Sequence, residues 1–489
     1  MITLPILLPF AGALLAFVLT GHRAAAVATV TAVATLAAVL RLANELRLEG
    51  VQRYLLGGWP APLGINLQAD GLSLVMLLMT AAVATLITIY AAAYLRGRPV
   101  QRFFWPLWLF LWGGLNALYL SGDLFNLYVV LEIAGLSAVA LAALAGNRAA
   151  LTAALRYLLA AMVGSMSYLL GVGLIYSEYG VLDLATLAGV LQPGLTTSVA
   201  LGLMMLGLLL KTALFPLHFW LPPAHASALA PVSAALSALV IKGSFYLALR
   251  LWFFVFPAVV TFEAGQLVGA LGAAAILWGS LQALRQRRLK MLIAHSTVGQ
   301  VGYLFLIFPL ATVPLAAGGP VPWITEAAVG GIYQALSHGF AKASLFLAAG
   351  VIVSAAGSDQ LSSLRDIAGR LPLTTFAFAL AGVSLIGLPP SGGFVAKWMI
   401  LKAIIASGQW WWVPVVLSGS LLTAGYVFLM IRWAFKPAIV KLSLKPVSLT
   451  LQVVPLVLAM LAVLIGLIVD EPVKLLEIGT PFITEGGAP

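Results

Sequence analysis

Residues 201–226 read LGLMMLGLLLKTALFPLHFWLPPAHA. An apolar run enters Lys211, and Pro216, Pro222 and Pro223 then interrupt what would otherwise be one hydrophobic span. Proline removes a backbone donor and clashes with the preceding turn, so a helix breaks here. In lipid, the freed carbonyls are tolerated only where they line a polar cavity. A second stretch, VSLIGLPPSGGFVAKW at 383–398, has the same design, with Pro389 and Pro390 followed shortly by Lys397. Two broken spans, each carrying a lysine, point to a membrane transporter core.

The rest of the chain agrees. Of 489 residues, 62% are hydrophobic and 8% charged, whereas a soluble domain carries roughly a quarter charged residues. A hydrocarbon core of about 30 Å needs roughly 20 apolar residues per helix. Stretches of that length recur from Ile2 to Val469 and predict spans near 2–20, 24–43, 71–95, 103–120, 122–144, 152–177, 195–228, 231–256, 264–284, 290–310, 324–354, 372–408, 411–435 and 448–469. The predicted fold is an all-α polytopic membrane protein of about 14 transmembrane helices. Ile2–Thr20 lacks a preceding basic residue and a cleavage pattern, so it is expected to be a retained span.

The broken spans are the seventh and the twelfth, five apart. Spans four to eight and nine to thirteen therefore read as two repeats, and an odd helix count inverts one against the other. The expected division is 1–102 for spans one to three, 103–256 and 257–435 for the inverted five-helix repeats, and 436–489 for the last span and tail. Of the 26 Lys and Arg, 16 fall in odd-numbered loops, Lys290 and Lys441 among them. Only Arg41, Arg47, Arg53 and Arg250 fall in even ones. By the positive-inside rule, odd loops are cytoplasmic and both termini lie outside. Topology thus accounts for the net charge of +11 without nucleic acid. The absence of cysteine excludes disulfides and thiolate-bound metals within the chain. No nucleotide loop, zinc spacing or nucleophile constellation is present, so no cofactor, metal or soluble-enzyme chemistry is expected.

Five lysines stay inside predicted spans: Lys211, Lys242, Lys342, Lys397 and Lys402. A charge at the bilayer centre costs about 2.5–3.5 kcal/mol or more, so such residues mark ion paths by default. Glu132, in GDLFNLYVVLEIAGLS (122–137), is the only acid placed deep in a span. Its expected partner is a lysine. At about 6 Å and an effective dielectric near 20 the attraction is roughly 2.8 kcal/mol, enough to switch a lysine between its charged and neutral forms. A static ion pair that fixes helix packing is the alternative. His338 and Lys342, in ALSHGFAKASLFL (335–347), are four apart and share a helical face, as a proton relay requires. His295, in LIAHSTVGQVGY (292–303), has Ser296, Thr297 and Gln300 nearby and either joins this wire through water or makes a packing hydrogen bond. His218 and His225 follow the break at Pro216, and Asp123 is an access-side candidate at the start of its span. Lys402 admits a plainer reading, an apolar stem that carries its ammonium to the interface.

These motifs, GDLFNLYVVLE, LLLKTALFPLHFWLPPAHASA, ALSHGFAKASLFLAAG and GLPPSGGFVAKW, resemble the antiporter-like membrane subunits shared by respiratory complex I, energy-converting hydrogenases and Mrp sodium/proton antiporters. The start, LPILLPFAGALLAFVL with LLGGWPAPLGINLQADGLSLVMLL, is most similar to the D-type Mrp subunit. The resemblance implies that Glu132 and Lys211 are the paired switch of the first half, that Lys242 links the halves, that His338 with Lys342 is the central relay, and that Lys397 is the terminal switch. It also implies other membrane subunits as partners and location in a bacterial inner membrane. The longest complex I subunits carry a C-terminal amphipathic helix along their neighbours; no such segment precedes Pro489, so that subunit type is not expected. Three functions follow as expectations: a proton-translocating subunit of a sodium/proton antiporter, the proton-pumping arm of a redox complex, or a scaffold whose buried charges specify assembly.

Overall fold

The computed structural model describes residues 1–312, 322–437 and 444–480, which leaves Lys441 outside the described residues. Helices α1 (Leu4–Val18) and α2 (His22–Glu49) lead into a short hairpin, β1 (Gln52–Leu55) antiparallel to β2 (Asn66–Ala69), and then α3 (Gly71–Tyr94). The stretch expected to form the first repeat comprises α4 (Gln101–Leu120), α5 (Leu124–Ala143), α6 (Arg148–Tyr179), a short connecting helix α7 (Leu184–Val190), the broken span α8 (Leu195–Thr212) and α9 (Leu221–Ser227), and α10 (Ala230–Ala235) running on into α11 (Ile241–Leu249). The stretch expected to form the second comprises α12 (Phe262–Arg285), α13 (Leu289–Leu304) with α14 (Ile307–Ala311), α15 (Pro322–Ala356), the turn α16 (Ile367–Arg370), the broken span α17 (Pro372–Ile386) and α18 (Gly392–Ala406), and α19 (Val413–Phe435). Helices α20 (Leu449–Leu464) and α21 (Asp470–Glu477) close the described chain. Among the described residues, eleven helical segments are long and apolar enough to cross a membrane, and α1, α17 and α20 are shorter apolar helices. The architecture is the polytopic all-α fold that the hydropathy predicts.

Both breaks fall where proline and glycine put them. Lys211 is in the last turn of α8, which ends as Ala213 turns left-handed (φ 58°), and α9 resumes at Leu221 with Pro222 and Pro223 in its first turn. The second break has Gly387 at φ 87° and α18 starting at Gly392 behind a Ser391 cap. In each half a long helix packs along the broken one, α6 on α8 and α9, and α15 on α17 and α18. Small residues set these distances, since lipid supplies no hydrophobic drive for helix association. A Cβ on Gly207 of α8 would come within 2.2 Å of the Gly164 carbonyl oxygen of α6, and one on Gly330 of α15 within 3.1 Å of the Ala396 carbonyl oxygen of α18.

Three features depart from the sequence reading. The second loop is a β-hairpin, because Gly57, Gly58 and Gly64 turn a segment whose ends pair in register from Gln52–Ala69 to Leu55–Asn66. Arg250, counted above as a loop cation, is buried at the end of the α11 span, and its guanidinium pairs with Asp70, the N-cap of α3. Lys290, also counted in a loop, is buried and donates to the Ala228 carbonyl. Asp70 escaped notice as a buried acid because it precedes its apolar run by one residue, where a cap is the ordinary reading.

Asp70→Ala strands a buried guanidinium, which typically costs about 3–5 kcal/mol. The thermal unfolding midpoint in detergent is expected to fall by several degrees, and Asp70→Ala combined with Arg250→Met to recover most of the loss. A single variant that melts with the parent chain would show that the pair is not structural.

Candidate functional site

A row of polar side chains runs through the interior, one element at a time. Glu132 projects from α5, and its Oε1 accepts from Lys211 Nζ on α8 at 3.1 Å and from the Ser165 hydroxyl on α6. Lys211 is 8% exposed, while the Glu132 side chain retains 22% exposure on the outer face of α5. The residue after Lys211 continues the row, with Thr212 Oγ1 2.9 Å from Ser244 Oγ on α11. Lys211 borders a cavity of about 20 Å³ whose lining is mainly apolar, with Leu115, Leu118, Leu131 and Val240 beside Tyr157 and Ser244. That is room for about one water.

Lys242 is fully buried. Its Nζ donates to the Ser237 carbonyl at 2.6 Å, five residues back in a widened π-helical turn (Leu236–Val240), and lies 2.7 Å from His338 Nδ1 on α15. One turn on from His338, Lys342 donates to the Ile293 carbonyl at 3.1 Å and to the Ser296 hydroxyl, both on α13. One turn on from Ser296, the Gln300 Nε2 donates to the Tyr426 hydroxyl of α19 at 3.3 Å. The same Gln300 amide donates to the Leu385 carbonyl at 3.3 Å. Lys397 shares that carbonyl: its Nζ donates to Leu385 O at 2.8 Å and to Ile386 O at 2.9 Å, the last turn of α17 left open by the break, and sits 4.5 Å above the Tyr303 ring. The broken helix therefore solvates Lys397 with backbone, as its position after Pro390 predicts.

The remaining sequence candidates separate into groups. His225 is fully buried beside this row, stacked on Phe346 at 4.8 Å, with both ring nitrogens free of hydrogen bonds. His295 and His218 lie near each other rather than in the lysine row; His218 stacks on Phe215 at 5.5 Å, and Ser296 instead of His295 meets Lys342. Asp123 caps α5, accepting from the Asn126 amide at 2.7 Å. Lys402 pairs with Glu326 of α15 at 2.6 Å, partly exposed. Glu326 lies only three residues into its predicted span, so Glu132 remains the one acid deep in a predicted span. Ser165 and Tyr426 were missed as well: a serine among small residues and a tyrosine in an apolar helix both read as packing. Only Glu326 carried a signal, a charge five residues into its helix. Among the described residues no group of His, Cys, Asp or Glu is arranged to hold a metal.

Comparison with known proteins places the chain in a family. Residues 121–423 match the family described as NADH:quinone oxidoreductase/Mrp antiporter, TM. The chain belongs to this family. Residues 60–104 also match the N-terminal region of complex I chain 5. Among its relatives, the N-type subunit of the NADH-quinone oxidoreductase of Desulforudis audaxviator is 38% identical over 78% of this chain and 75% of that protein. The D-type subunit of the Na(+)/H(+) antiporter of Bacillus subtilis is 29% identical over 89% of this chain and 86% of that protein. In structure, this family member superposes on a chain of the archaeal membrane-bound sulfane sulfur reductase with TM-score 0.89, 27% identity, and coverage of 99% and 97%. For a chain of the Mrp complex from Dietzia the TM-score is 0.86 with 99% of each chain covered, and at 24% identity that likeness speaks for the fold alone. The D-type assignment suggested by the N-terminal motifs is not singled out, since the N-type relative is the more identical of the two.

Among the described residues, His338 is the side chain that hydrogen-bonds Lys242, reaching it from α15. His338→Ala is expected to lower proton flux through the assembled protein at least about tenfold, in the range of a lost acid–base group, with the expression level and melting curve kept. Flux equal to the parent in reconstituted vesicles would remove His338 from the path.

Proposed function

We propose that this chain is the proton-translocating subunit of a multisubunit membrane complex, set in a bacterial inner membrane with both termini outside, its two half-paths lying in inverted repeats at residues 103–256 and 257–435. The carrying observation is the set of buried groups Glu132, Lys211, Lys242, His338, Lys342 and Lys397: Lys211 pairs with Glu132, Lys242 with His338, His338 and Lys342 stand one turn apart on α15, and Lys397 shares the Leu385 carbonyl with Gln300. Burial favours the neutral amine and a nearby carboxylate favours the ammonium. At 3.1 Å and an effective dielectric near 20, the Glu132–Lys211 attraction is about 5 kcal/mol. Lengthening the gap to about 6 Å removes about 2.6 kcal/mol, close to a hundredfold in protonation ratio. A shift of α5 against α8 by a few ångströms is therefore sufficient to make Lys211 release its proton toward Lys242. Protonation thus passes along the row as each lysine is discharged.

Two drivers are compatible with the row. Exchange against sodium is favoured by the D-type antiporter relative, whose likeness covers the larger share of this chain. Coupling to a redox partner is favoured by the higher identity to the N-type oxidoreductase relative. The scaffold reading has no need of buried lysines on α8, α11, α15 and α18 alike.

The deciding measurement is dissipation of a pH gradient in inverted vesicles carrying the whole operon, with and without sodium, for the parent and for Glu132→Gln and Lys211→Ala, with assembly followed on native gels. Sodium-dependent dissipation lost in assembled variants is the expected result for an antiporter. Dissipation indifferent to sodium but dependent on Glu132 assigns the redox-driven complex. Full activity in both variants refutes the pathway, and loss of assembly in both supports the scaffold.

A further inference from the structure

Away from the lysine row, on the face that carries the basic loops, a cleft of about 550 Å³ opens between the start of α6, α9 and the start of α13. Arg148, Arg156 and Arg288 line it together with the hydroxyl residues Thr152 and Ser227, and no acidic residue does. Arg288 is engaged with Asp359, Nε to Oδ2 at 2.9 Å. Arg148 and Arg156 are exposed and, among the described residues, have no ion pair or hydrogen-bond partner in the chain. They lie with Thr152 at intervals of four on α6, on one face. The cleft also adjoins the N-terminus of this 32-residue helix, whose dipole favours an anion.

Below the cleft the outward side of α6 is apolar. Leu155, Leu159, Met162 and Met166 are each about half exposed. From Leu155 to Met166 the helix rises about 16 Å, roughly the depth of one bilayer leaflet. Guanidinium groups without protein partners at the headgroup level, above an apolar stripe one leaflet long, match a particular kind of ligand. Phosphate accepts the bidentate fork of arginine, and basic pockets between spanning helices on this side suit anionic headgroups. An acidic protein segment would satisfy the arginines but would leave the stripe beneath them without a counterpart.

We propose that this cleft binds the phosphate headgroup of an anionic phospholipid, gripped by Arg148 and Arg156, with its acyl chains lying along Leu155, Leu159, Met162 and Met166. The site is independent of the proton row and stands whichever driver is correct.

The test is native mass spectrometry of the full-length chain in detergent, titrated with phosphatidylglycerol or phosphatidylcholine. The parent is expected to retain phosphatidylglycerol in preference, and Arg148→Gln with Arg156→Gln to weaken that retention at least about tenfold. Arg96→Gln with Arg102→Gln, which removes two charges from the same side outside the cleft, is expected to leave it unchanged. Should the glutamine pair not elute as a single folded species, Arg148→Lys with Arg156→Lys, which keeps the charge but loses the fork, is expected to show a smaller loss. Equal losses in the cleft and control variants, or none in either, would overturn the site. Displacement of the lipid by millimolar inorganic phosphate would overturn the lipid assignment in favour of a free anion. Binding of an acidic peptide in place of phosphatidylglycerol would do the same in favour of a protein partner.

Discussion

Lipid solvates neither an ammonium nor an open carbonyl, so every lysine inside this chain takes its partner from the protein. That constraint ties the breaks in α8 and α17 to the lysines beside them. A continuous helix at α17 would consume the carbonyls of Leu385 and Ile386 internally and leave Lys397 with nothing to bind. Opened by Gly387 and the two prolines, the helix offers both oxygens, at 2.8 and 2.9 Å, with the face of Tyr303 behind. Hydrogen bonds to a charged group are worth about 1.5–3 kcal/mol each, and a desolvated cation–π contact about 2. Together they offset an insertion cost of about 2.5–3.5 kcal/mol.

The two halves use similar broken helices for two kinds of solvation. Lys211 is met by a carboxylate, whose attraction depends steeply on distance and on whether Glu132 is ionised. Lys397 is met by dipoles of fixed strength. Lys242 and Lys342 stand between, each held by one carbonyl and one titratable or hydroxyl side chain: His338 for the first, Ser296 for the second. The row therefore grades from charge-sensitive to charge-neutral partners along its length. This is possible because equivalent helix breaks hold different neighbours.

Most of this was legible in the sequence because the bilayer enforces it. Fourteen apolar runs, two proline breaks and five lysines in spans have few readings in lipid, and Lys211, Lys242, Lys342 and Lys397 emerge buried and bound. Direct partners were harder to read. His338 pairs across helices with Lys242, although its spacing pointed to Lys342; periodicity reports a shared face on one helix and is silent about the helix opposite. Tyr426 and Ser165 look like packing in any apolar run. Arg250 and Asp70 sit at the ends of spans, where the positive-inside count and the capping rule each give an ordinary explanation, and only the register of α11 against α3 turns them into a buried pair.

The 22% exposure left to Glu132 has a physical consequence of its own. A charge brought against the outer face of α5 by a neighbouring protein acts on Glu132 at short range and in a medium of low dielectric, where a unit charge at about 6 Å is worth roughly 2.8 kcal/mol. The same charge is separated from Lys397 by several helices. A driving event outside the chain thus couples to one end of the row far more strongly than to the other. On the proposed function, a perturbation at that face would reach the interior as a change in the protonation of Lys211, which pairs with Glu132 and is followed by the Thr212–Ser244 hydrogen bond.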